Sequence, residues 1–322
     1  MTDSHQQAGA DRTIAQVRRV FERRAATFDD VSFLPREIAT RMASRLDYIK
    51  VEPQRVLDAG CGPGSDLSAL QLRYADAGVI GVDLSRRMLS RAAAERGLSR
   101  MPGWLKRFIP SSRQVVQADF ARLPFADATF DLLWSNLALH WHPRPDRVFP
   151  EWRRVLGAGG LLMFSVFGPD TLKEVRAAWR VAEDRLGLPP REHVLPFVDM
   201  HDFGDMLVAN GFETPVMDME TLTITYRSPE ALLADVRRLG AYVPMHRSDA
   251  EADAPSGGLG SRRLRDALSE ALDERFQSGT LPLTFEIAYG HAWRRPDDTS
   301  RDAQGNAVIR LDQIGRRRRA AD

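Results

Sequence analysis

The sequence predicts an α/β fold in which a doubly wound, mostly parallel sheet of seven strands carries helices on both faces. Two observations lead to this prediction. An apolar strand at 56–59 runs into a glycine-rich turn at 60–64, and a second apolar strand at 79–82 ends in Asp83. A strand, a glycine turn and a second strand ending in an acid about 20 residues later form the βαβ unit that binds nucleosides.

Apolar periodicity predicts the other elements. Further strands are expected at 115–119, 130–136, 161–166, 216–226 and 283–293. Helices are expected within 13–49 and at 67–74, 86–95, 151–156, 171–186, 201–210, 229–239 and 262–276. Thr171 and Glu174 have capping-box spacing, Gly211 is placed to end a helix, and 157–160 predicts a turn before the fifth strand.

Length and composition agree with one large domain carrying insertions or with two small domains. The 322 residues are 43% hydrophobic with a formal net charge of +1, so overall charge gives no reason to expect nucleic acid. Cys61 is the only cysteine, which excludes an intramolecular disulfide and a thiolate metal site, and no metal is predicted. No apolar run approaches ~18 residues and 1–12 is polar, so we expect a cytoplasmic protein without a membrane span or signal peptide.

The glycine turn selects among nucleoside cofactors. A dinucleotide-binding loop would have glycine at position 65, where this sequence has Ser65. This difference alone is weak evidence against a dinucleotide. Asp58, just before the turn, would repel a pyrophosphate but suits a cationic amino group or sulfonium. S-adenosylmethionine carries both cations and no phosphate. A phosphate-binding P-loop is excluded because no Gly-Lys-Ser/Thr follows the turn.

Four strands deliver polar groups to one edge of the predicted sheet. These groups are Asp58, Asp83, Asp119 and Asn136. Parallel sheets bind ligands at the carboxyl ends of their strands, so we expect the four side chains to lie together. A single glycine turn can be a plain turn and an acid after a strand can simply cap a helix. The combination of turn, acids and strand order therefore carries the prediction of a nucleoside site.

The runs at 56–64 and 123–131 resemble the class I S-adenosylmethionine-dependent methyltransferases, which have a Rossmann-like fold. The resemblance implies that Asp58 and Gly60 border the methionine part of the cofactor. It also implies that Asp83 binds the ribose hydroxyls, while Asp119 and Phe120 frame the adenine. The full set of expected cofactor-binding residues is Asp58, Gly60, Gly62, Gly64, Asp83, Leu84, Asp119, Phe120 and Asn136.

A finer resemblance covers roughly 15–293. The runs at 21–29, 136–141 and 164–174 are similar to the malonyl-acyl-carrier-protein O-methyltransferases of biotin synthesis. This implies methylation of the free carboxylate of a malonyl thioester on an acidic acyl carrier protein or coenzyme A, with no nucleic-acid or membrane partner. Expected substrate-side residues are His140, Trp141 and Phe28, and Phe28 stands where that family has tyrosine.

Two alternatives remain open at the level of sequence. The runs at 197–200 and 281–285 are also similar to methyltransferase-like assembly factors of respiratory complex I, which are associated with arginine hydroxylation. A non-catalytic module that has kept the nucleoside pocket is the other alternative. A mass gain of oxygen on a partner would favour the first, and tight cofactor binding without turnover would favour the second.

The chain divides into five predicted segments. They are a disordered tail at 1–12, a helical N-terminal cap at 13–50, an S-adenosylmethionine-binding core at 51–168, the remaining sheet with helical lid insertions at 169–294, and a polar basic tail at 295–322. The stretch from Arg96 to Arg113 holds five basic residues around an apolar group at 104–109, which suits either a solvated loop or the docking of an acidic carrier protein.

The chemistry of methyl transfer to a carboxylate needs no general base, because the acceptor is already ionised at neutral pH. It can rest on alignment and exclusion of water. A carboxylate substrate does need a cationic partner, for which arginine has the best geometry. Arg23, Arg24, Arg144 and Arg147 are candidates, and their spacing does not separate a substrate-binding role from simple exposure at the surface.

Overall fold

The computed structural model describes residues 13–94, 114–239, 259–276 and 279–295. It contains the seven-stranded sheet that the sequence predicts, in the order β3-β2-β1-β4-β5-β7-β6. The strands are β1 (Arg55–Ala59), β2 (Gly78–Asp83), β3 (Gln114–Gln117), β4 (Phe130–Asn136), β5 (Leu156–Phe167), β6 (Phe212–Tyr226) and β7 (Leu281–Arg294). Strands β1 to β5 are parallel, and β7 lies antiparallel between β5 and β6.

Helices cover both faces of this sheet, which confirms the predicted fold class and the helical N-terminal cap. They are α1 (Ile14–Arg24), α2 (Phe33–Arg45), α3 (Ser65–Arg73), α4 (Arg86–Ala94), α5 (Val148–Val155), α6 (Lys173–Arg185), α7 (Met200–Ala209), α8 (Pro229–Leu239) and α9 (Leu259–Asp273). Helices α1 and α2 form the cap, and α6 to α9 lie between or beside the last three strands in the chain. Within the described ranges, no helix is both long and apolar enough to cross a membrane.

The central strands are apolar throughout because both faces of the sheet are buried. Alternate residues enter separate cores, so that Val56 and Leu132 pack on one face while Leu57 and Leu133 pack on the other. All four side chains are fully buried. Side chains alternate across a strand, and a parallel sheet covered on both sides therefore needs continuous apolar runs rather than alternating ones. This packing holds the carboxyl ends of β1, β2 and β4 in one row.

The structure corrects two local predictions. Thr171 and Glu174 do not form a capping box: the Thr171 hydroxyl donates to the Glu286 carbonyl oxygen, and Glu174 accepts from Thr284 in β7. Tertiary contacts to β7 have replaced the local cap. The glycine run at 157–160 is not a turn ahead of the fifth strand, since β5 begins at Leu156 and passes through it with a shift in register against β4.

Other predicted segments lie outside the described residues. They are the tail at 1–12, the whole basic stretch between Arg96 and Arg113, most of the loop at 246–261, and the tail beyond 295. Strand β3 is shorter than expected, because it ends at Gln117 and leaves Asp119 in the following turn.

Helix α1 is fixed onto the sheet domain through the start of α4. The Glu22 carboxylate accepts hydrogen bonds from the backbone N–H groups of Arg86 (2.7 Å) and Arg87 (3.3 Å). A carboxylate at a helix N-terminus satisfies unpaired donors and interacts favourably with the helix dipole. The Arg91 guanidinium donates to the Ala25 carbonyl oxygen and to Asp29. These contacts set the end of α1 above the carboxyl edge of the sheet.

Candidate functional site

The main cavity lies between the carboxyl edge of the sheet and the N-terminal cap. Nine of the residues predicted from sequence line it: Phe28, Gly60, Gly62, Asp83, Leu84, Asp119, Phe120, Asn136 and Trp141. Asp58 lines an adjoining hollow that shares Phe28, Gly60, Gly62 and Asn136 with the main cavity. The sheet therefore brings together the side chains that sequence reasoning grouped at its edge.

The glycine turn forms the floor of this cavity. The backbone N–H groups of Gly60 and Cys61 both donate to the Val82 carbonyl oxygen, at 2.8 and 3.0 Å, which draws the turn against β2. Gly60 has a φ of +88°, and a Cβ there would lie 2.3 Å from the Cβ of Ala138. Only glycine fits this conformation at so close an approach. Gly64, with a φ of +89°, is the N-cap residue before α3 and is not among the residues that line the main cavity.

Asp58 and Asp66 place two carboxyl groups in the adjoining hollow. Asp66 accepts a hydrogen bond from Trp134 Nε1 at 2.9 Å, whereas the buried Oδ2 of Asp58 has no hydrogen-bond partner among the described residues. Burial, and the charges of Asp66 and Asp83, raise the pKa of Asp58 well above its usual range. Burial also raises the pKa of Asp66. Sequence reasoning missed Asp66, whose signal is an acid in the first turn of the helix after the glycine turn.

An unpaired buried carboxylate oxygen costs free energy, so a ligand that donates to it is favoured. The amino group of S-adenosylmethionine is cationic and donates hydrogen bonds, and two carboxyl groups beside it match its charge. The hollow therefore fits the methionine end of the cofactor that the sequence predicted. The same hollow would oppose a pyrophosphate.

Asp83 occupies the end of β2 and braces the glycine turn. Its Oδ2 accepts from the Gly62 N–H at 3.0 Å, and its Oδ1 accepts from the Ser85 N–H at 2.7 Å. Burial raises the pKa of Asp83 to about 6, although these hydrogen bonds act in the opposite direction. Each carboxylate oxygen has a second lone pair, so a diol can still be bound.

Asp119, Phe120 and His142 form another part of the wall. Asp119 accepts from the Ala121 N–H at 2.9 Å, and His142 Nε2 lies 3.6 Å from Asp119 Oδ1. The rings of Phe120 and His142 are 5.7 Å apart. His142 Nδ1 accepts from the Arg144 N–H at 3.0 Å, so its neutral form carries the proton on Nε2, facing Asp119. Burial lowers the pKa of His142, which favours that neutral form.

His142, rather than His140, reaches the cavity. The His140 ring packs among Trp141, Phe167 and Phe197, with ring centroids 5.2, 4.7 and 5.6 Å away. His140 and His142 lie on either side of Trp141 in and after the short 3-10 turn at Leu139–Trp141, and of these two histidines only His142 lines the main cavity. His140 is therefore not among the residues that line the main cavity, whereas Trp141 and Phe28 are, and its place beside the substrate stays a prediction.

Asn136 ties the cap to the sheet. Its Nδ2 donates to the Pro35 carbonyl oxygen at 2.9 Å, and its Oδ1 accepts from the Ser165 hydroxyl at 2.8 Å. Both ends of the amide are thus engaged by protein groups on opposite walls of the cavity. This residue holds the two walls at a set distance and lines both hollows.

The four candidate arginines separate clearly. Arg144 and Arg147 are exposed, and Arg144 is paired with Asp146 at 2.6 Å. Arg23 is also exposed at the surface of α1. Arg24 is half-buried, lines the main cavity, and has Nε and Nη1 atoms without a hydrogen-bond partner among the described residues.

Comparison with known proteins places these features in a family. Residues 57–164 match the family model described as a methyltransferase domain. The chain is 43% identical over 281 residues to the malonyl-acyl-carrier-protein O-methyltransferase of Laribacter hongkongensis, covering 87% of this chain and 89% of that protein. It is 42% identical to the protein of the same name from Nitrosospira multiformis, covering 88% and 90%.

Solved structures agree on the fold. The crystal structure of the YcgJ protein from Bacillus subtilis aligns with a TM-score of 0.50 at 19% identity, covering 79% of this chain and 98% of that one. At this identity the likeness concerns the arrangement of strands and helices alone.

Proposed function

The chain belongs to the malonyl-acyl-carrier-protein O-methyltransferase family, and we propose that it methylates the free carboxylate of a malonyl thioester with S-adenosylmethionine as donor. The observation that carries the proposal is the acidic hollow at the glycine turn, where the buried Oδ2 of Asp58 accepts no hydrogen bond from the described residues. A methyl donor with a cationic amino end and no phosphate is the ligand that this hollow suits.

The side chains of the site act by binding and orienting the cofactor. Bound S-adenosylmethionine supplies an electrophilic methyl group on a positively charged sulfur. In this proposal Asp58 and Asp66 hold the amino end, and Asp83 accepts from the ribose hydroxyls. Asp119 and Phe120 frame the adenine, as their place in the cavity wall allows.

Methyl transfer balances without a proton acceptor. A carboxylate oxygen forms a bond to the methyl carbon, the carbon–sulfur bond breaks, and its electron pair stays on sulfur. A negative carboxylate and a positive sulfonium thus become a neutral ester and a neutral thioether. The apolar side chains around the acceptor end, among them Phe28, Trp141 and Phe167, exclude water and favour this loss of charge.

Two alternatives from the sequence lose support. The relatives reported above are named as methyl-transferring enzymes, and the alignments cover about nine-tenths of their length. None of the observations on the site favours arginine hydroxylation. A module that binds without turnover would not need an apolar acceptor space beside the donor site, as this cavity provides.

Membership of the family indicates which molecule carries the acceptor. Relatives named for malonyl-acyl-carrier protein support an acyl carrier protein as the partner of this chain. Docking of an acidic carrier at the basic stretch between Arg96 and Arg113, a preference for carrier protein over coenzyme A, and a place in biotin synthesis remain parts of the proposal. So do the cytoplasmic location and the absence of nucleic-acid and membrane partners.

A labelling assay tests the proposed function. Purified protein is incubated with radiolabelled S-adenosylmethionine and malonyl-, succinyl- or acetyl-acyl carrier protein. We expect base-labile label on the malonyl carrier, less on the succinyl carrier, and none on the acetyl carrier, which has no free carboxylate. Absence of label from every acid, in a preparation that binds S-adenosylhomocysteine, would contradict the proposal.

A further inference from the structure

Arg24 brings a positive charge into an otherwise acidic and apolar cavity. It is the last residue of α1, where the helix dipole favours a cation, and its guanidinium carbon lies 5.1 Å from the Phe21 ring and 5.6 Å from the Trp141 ring. Among the described residues that line the main cavity, it is the only arginine or lysine. Two aromatic rings thus hold the guanidinium at the acceptor end.

No acidic side chain neutralises this charge within the described part of the chain. Arg24 makes no ion pair there, and its Nε and Nη1 atoms are buried without acceptors. Burial lowers the pKa of Arg24 to about 10, and no neighbouring carboxylate opposes that change. The side chain therefore stays charged at neutral pH while lacking the partners that buried guanidinium groups normally have.

The cofactor's own carboxylate is poorly placed to be that partner. The acidic hollow that suits the amino end of the cofactor contains Asp58 and Asp66, and the arginine that lines it is Arg36 from α2. Arg24 instead lines the main cavity, beside Phe28 and Trp141. A second anion, belonging to the acceptor, is the ligand that an unpaired guanidinium at this end requires.

We propose that Arg24 recognises the free carboxylate of the acceptor and thereby distinguishes the anionic substrate from its neutral methyl ester. This inference rests on the proposed function. Arg24 donates hydrogen bonds to the carboxylate and leaves an oxygen lone pair directed at the donor methyl group. Once that oxygen is methylated, the negative charge is gone and the guanidinium loses its ion pair. Arg24 thus favours release of the product as well as binding of the substrate.

Binding measurements with two ligands and four proteins test this role. The ligands are malonyl-acyl carrier protein and its methyl ester, each titrated by calorimetry with S-adenosylhomocysteine present. The proteins are the wild type, Arg24→Met and Arg24→Lys, with Arg23→Met as the matched control, because Arg23 is the exposed neighbour on α1. Methionine keeps most of the side-chain length but removes the charge and every donor.

We expect Arg24→Met to weaken binding of the malonyl carrier on the order of 10- to 100-fold, as for other hydrogen-bonded charge pairs. Its binding of the methyl ester should change less than about twofold, since a neutral ester gains little from the guanidinium. The affinity of Arg24→Lys for the malonyl carrier should lie between those of the wild type and Arg24→Met, because lysine keeps the charge without the planar pair of donors. Arg23→Met should match the wild type for both ligands.

Three results would overturn the inference. Equal weakening of the binding of both ligands in Arg24→Met would mean that Arg24 does not distinguish the charged carboxylate from the neutral ester. A loss of S-adenosylhomocysteine affinity of similar size would assign Arg24 to the cofactor. Unchanged malonyl binding would assign it no role in recognition. Thermal unfolding separates these results from misfolding, because removing a buried unpaired charge should leave the melting temperature equal or higher.

The outcomes also separate this inference from the proposed function. Wild-type protein that labels the malonyl carrier, together with Arg24→Met that binds and labels it equally well, would refute the role of Arg24 alone. Wild-type protein that labels no acid would refute the proposed function, whatever Arg24 binds. If Arg24→Met does not fold, the same pair of titrations with Arg24→Gln decides between the outcomes.

Discussion

The two walls of the cavity carry opposite charge and are built in different ways. The sheet wall presents Asp58, Asp83 and Asp119 at or beyond the carboxyl ends of adjacent parallel strands. In the main cavity the cap wall presents Arg24, the one guanidinium among the described lining residues, beside aromatic rings at the end of α1, while Arg36 of α2 lines the adjoining hollow. Charge separation across one cavity suits a reaction between a cationic donor and an anionic acceptor, because each reactant meets the opposite sign.

The two walls also depend on the backbone in different ways. The sheet wall depends on a positive-φ turn with almost no free space, whereas the cap wall depends on how one helix is rotated. Changes in the turn should therefore damage the fold and the cofactor site together. Changes in the cap should act mainly on the acceptor.

The largest effect is expected at Gly60. In Gly60→Val the new Cβ would meet Ala138, at a φ of +88° that a β-branched residue strongly disfavours. We expect the free energy of unfolding to fall by about 3 to 5 kcal/mol, measured by urea denaturation. Gly62→Ala is the matched control: Gly62 also has positive φ, but nothing lies within 4 Å of its added Cβ, so the loss should be about 1 kcal/mol. Equal losses would show that the close approach of the turn is unimportant.

The next effect concerns the pH dependence of stability in the cofactor-free protein. Burial raises the pKa of Asp83 from 3.8 to about 6, so the folded state binds the proton more tightly than the unfolded state. Asp83 therefore destabilises the protein above pH 6, and this penalty disappears as the pH falls toward 3.8. The shift corresponds to about 3 kcal/mol.

Replacing the carboxyl group with an amide isolates this effect. Between pH 8 and pH 4, wild-type stability should rise relative to that of Asp83→Asn by most of that amount, measured by urea denaturation at each pH. Asp131→Asn serves as control, since Asp131 accepts from the Gln54 and Arg55 N–H groups at the opposite end of β1. Parallel pH profiles for wild type and Asp83→Asn would contradict the raised pKa.

A smaller effect is expected on cofactor affinity. Asp83→Ala removes the carboxylate proposed to accept from the ribose hydroxyls, so binding of S-adenosylhomocysteine should weaken by roughly 1.5–3 kcal/mol. Calorimetry measures this change, and Asp131→Ala should leave the affinity unaltered. Affinity that is unchanged in folded Asp83→Ala protein would remove Asp83 from the cofactor site.

Sequence reasoning succeeded at the sheet wall for a physical reason. Asp58 and Asp83 sit at fixed places relative to two strands and a glycine turn, and parallel pairing then brings them together without knowledge of the rest of the chain. Asp66 and His142 were missed because their importance depends on which way a helix or turn presents them. The expected Thr171 cap was wrong because β7 supplied better partners from more than 100 residues away.

The cap wall resisted prediction because rotation of a helix is a tertiary property. Arg23 and Arg24 are adjacent and chemically identical, so periodicity cannot say which one faces the cavity. The structure settles this through Glu22, whose carboxylate is fixed to the start of α4. That contact and the aromatic rings around Arg24 fix the rotation of α1 so that Arg24, and not Arg23, faces the cavity.

The smallest effect should therefore arise at Glu22. In Glu22→Gln the neutral amide still accepts from the Arg86 and Arg87 N–H groups but no longer interacts as a charge with the helix dipole. We expect the free energy of unfolding to fall by about 0.5–1 kcal/mol. Glu37→Gln is the control, because within the described residues Glu37 forms a surface pair with Arg41 alone, which is worth about a few tenths of a kcal/mol.

Kinetics of the same variant decide whether Glu22 positions the cap wall rather than merely stabilising it. A cap helix that is held less firmly should raise the KM for the malonyl carrier about twofold, while the affinity for S-adenosylhomocysteine stays constant, because that ligand is held mainly by the sheet wall. The reverse pattern, with cofactor affinity reduced and the acceptor KM unchanged, would mean that Glu22 acts through neighbouring Asp83. The sheet wall and the cap wall would then not act separately on the donor and the acceptor.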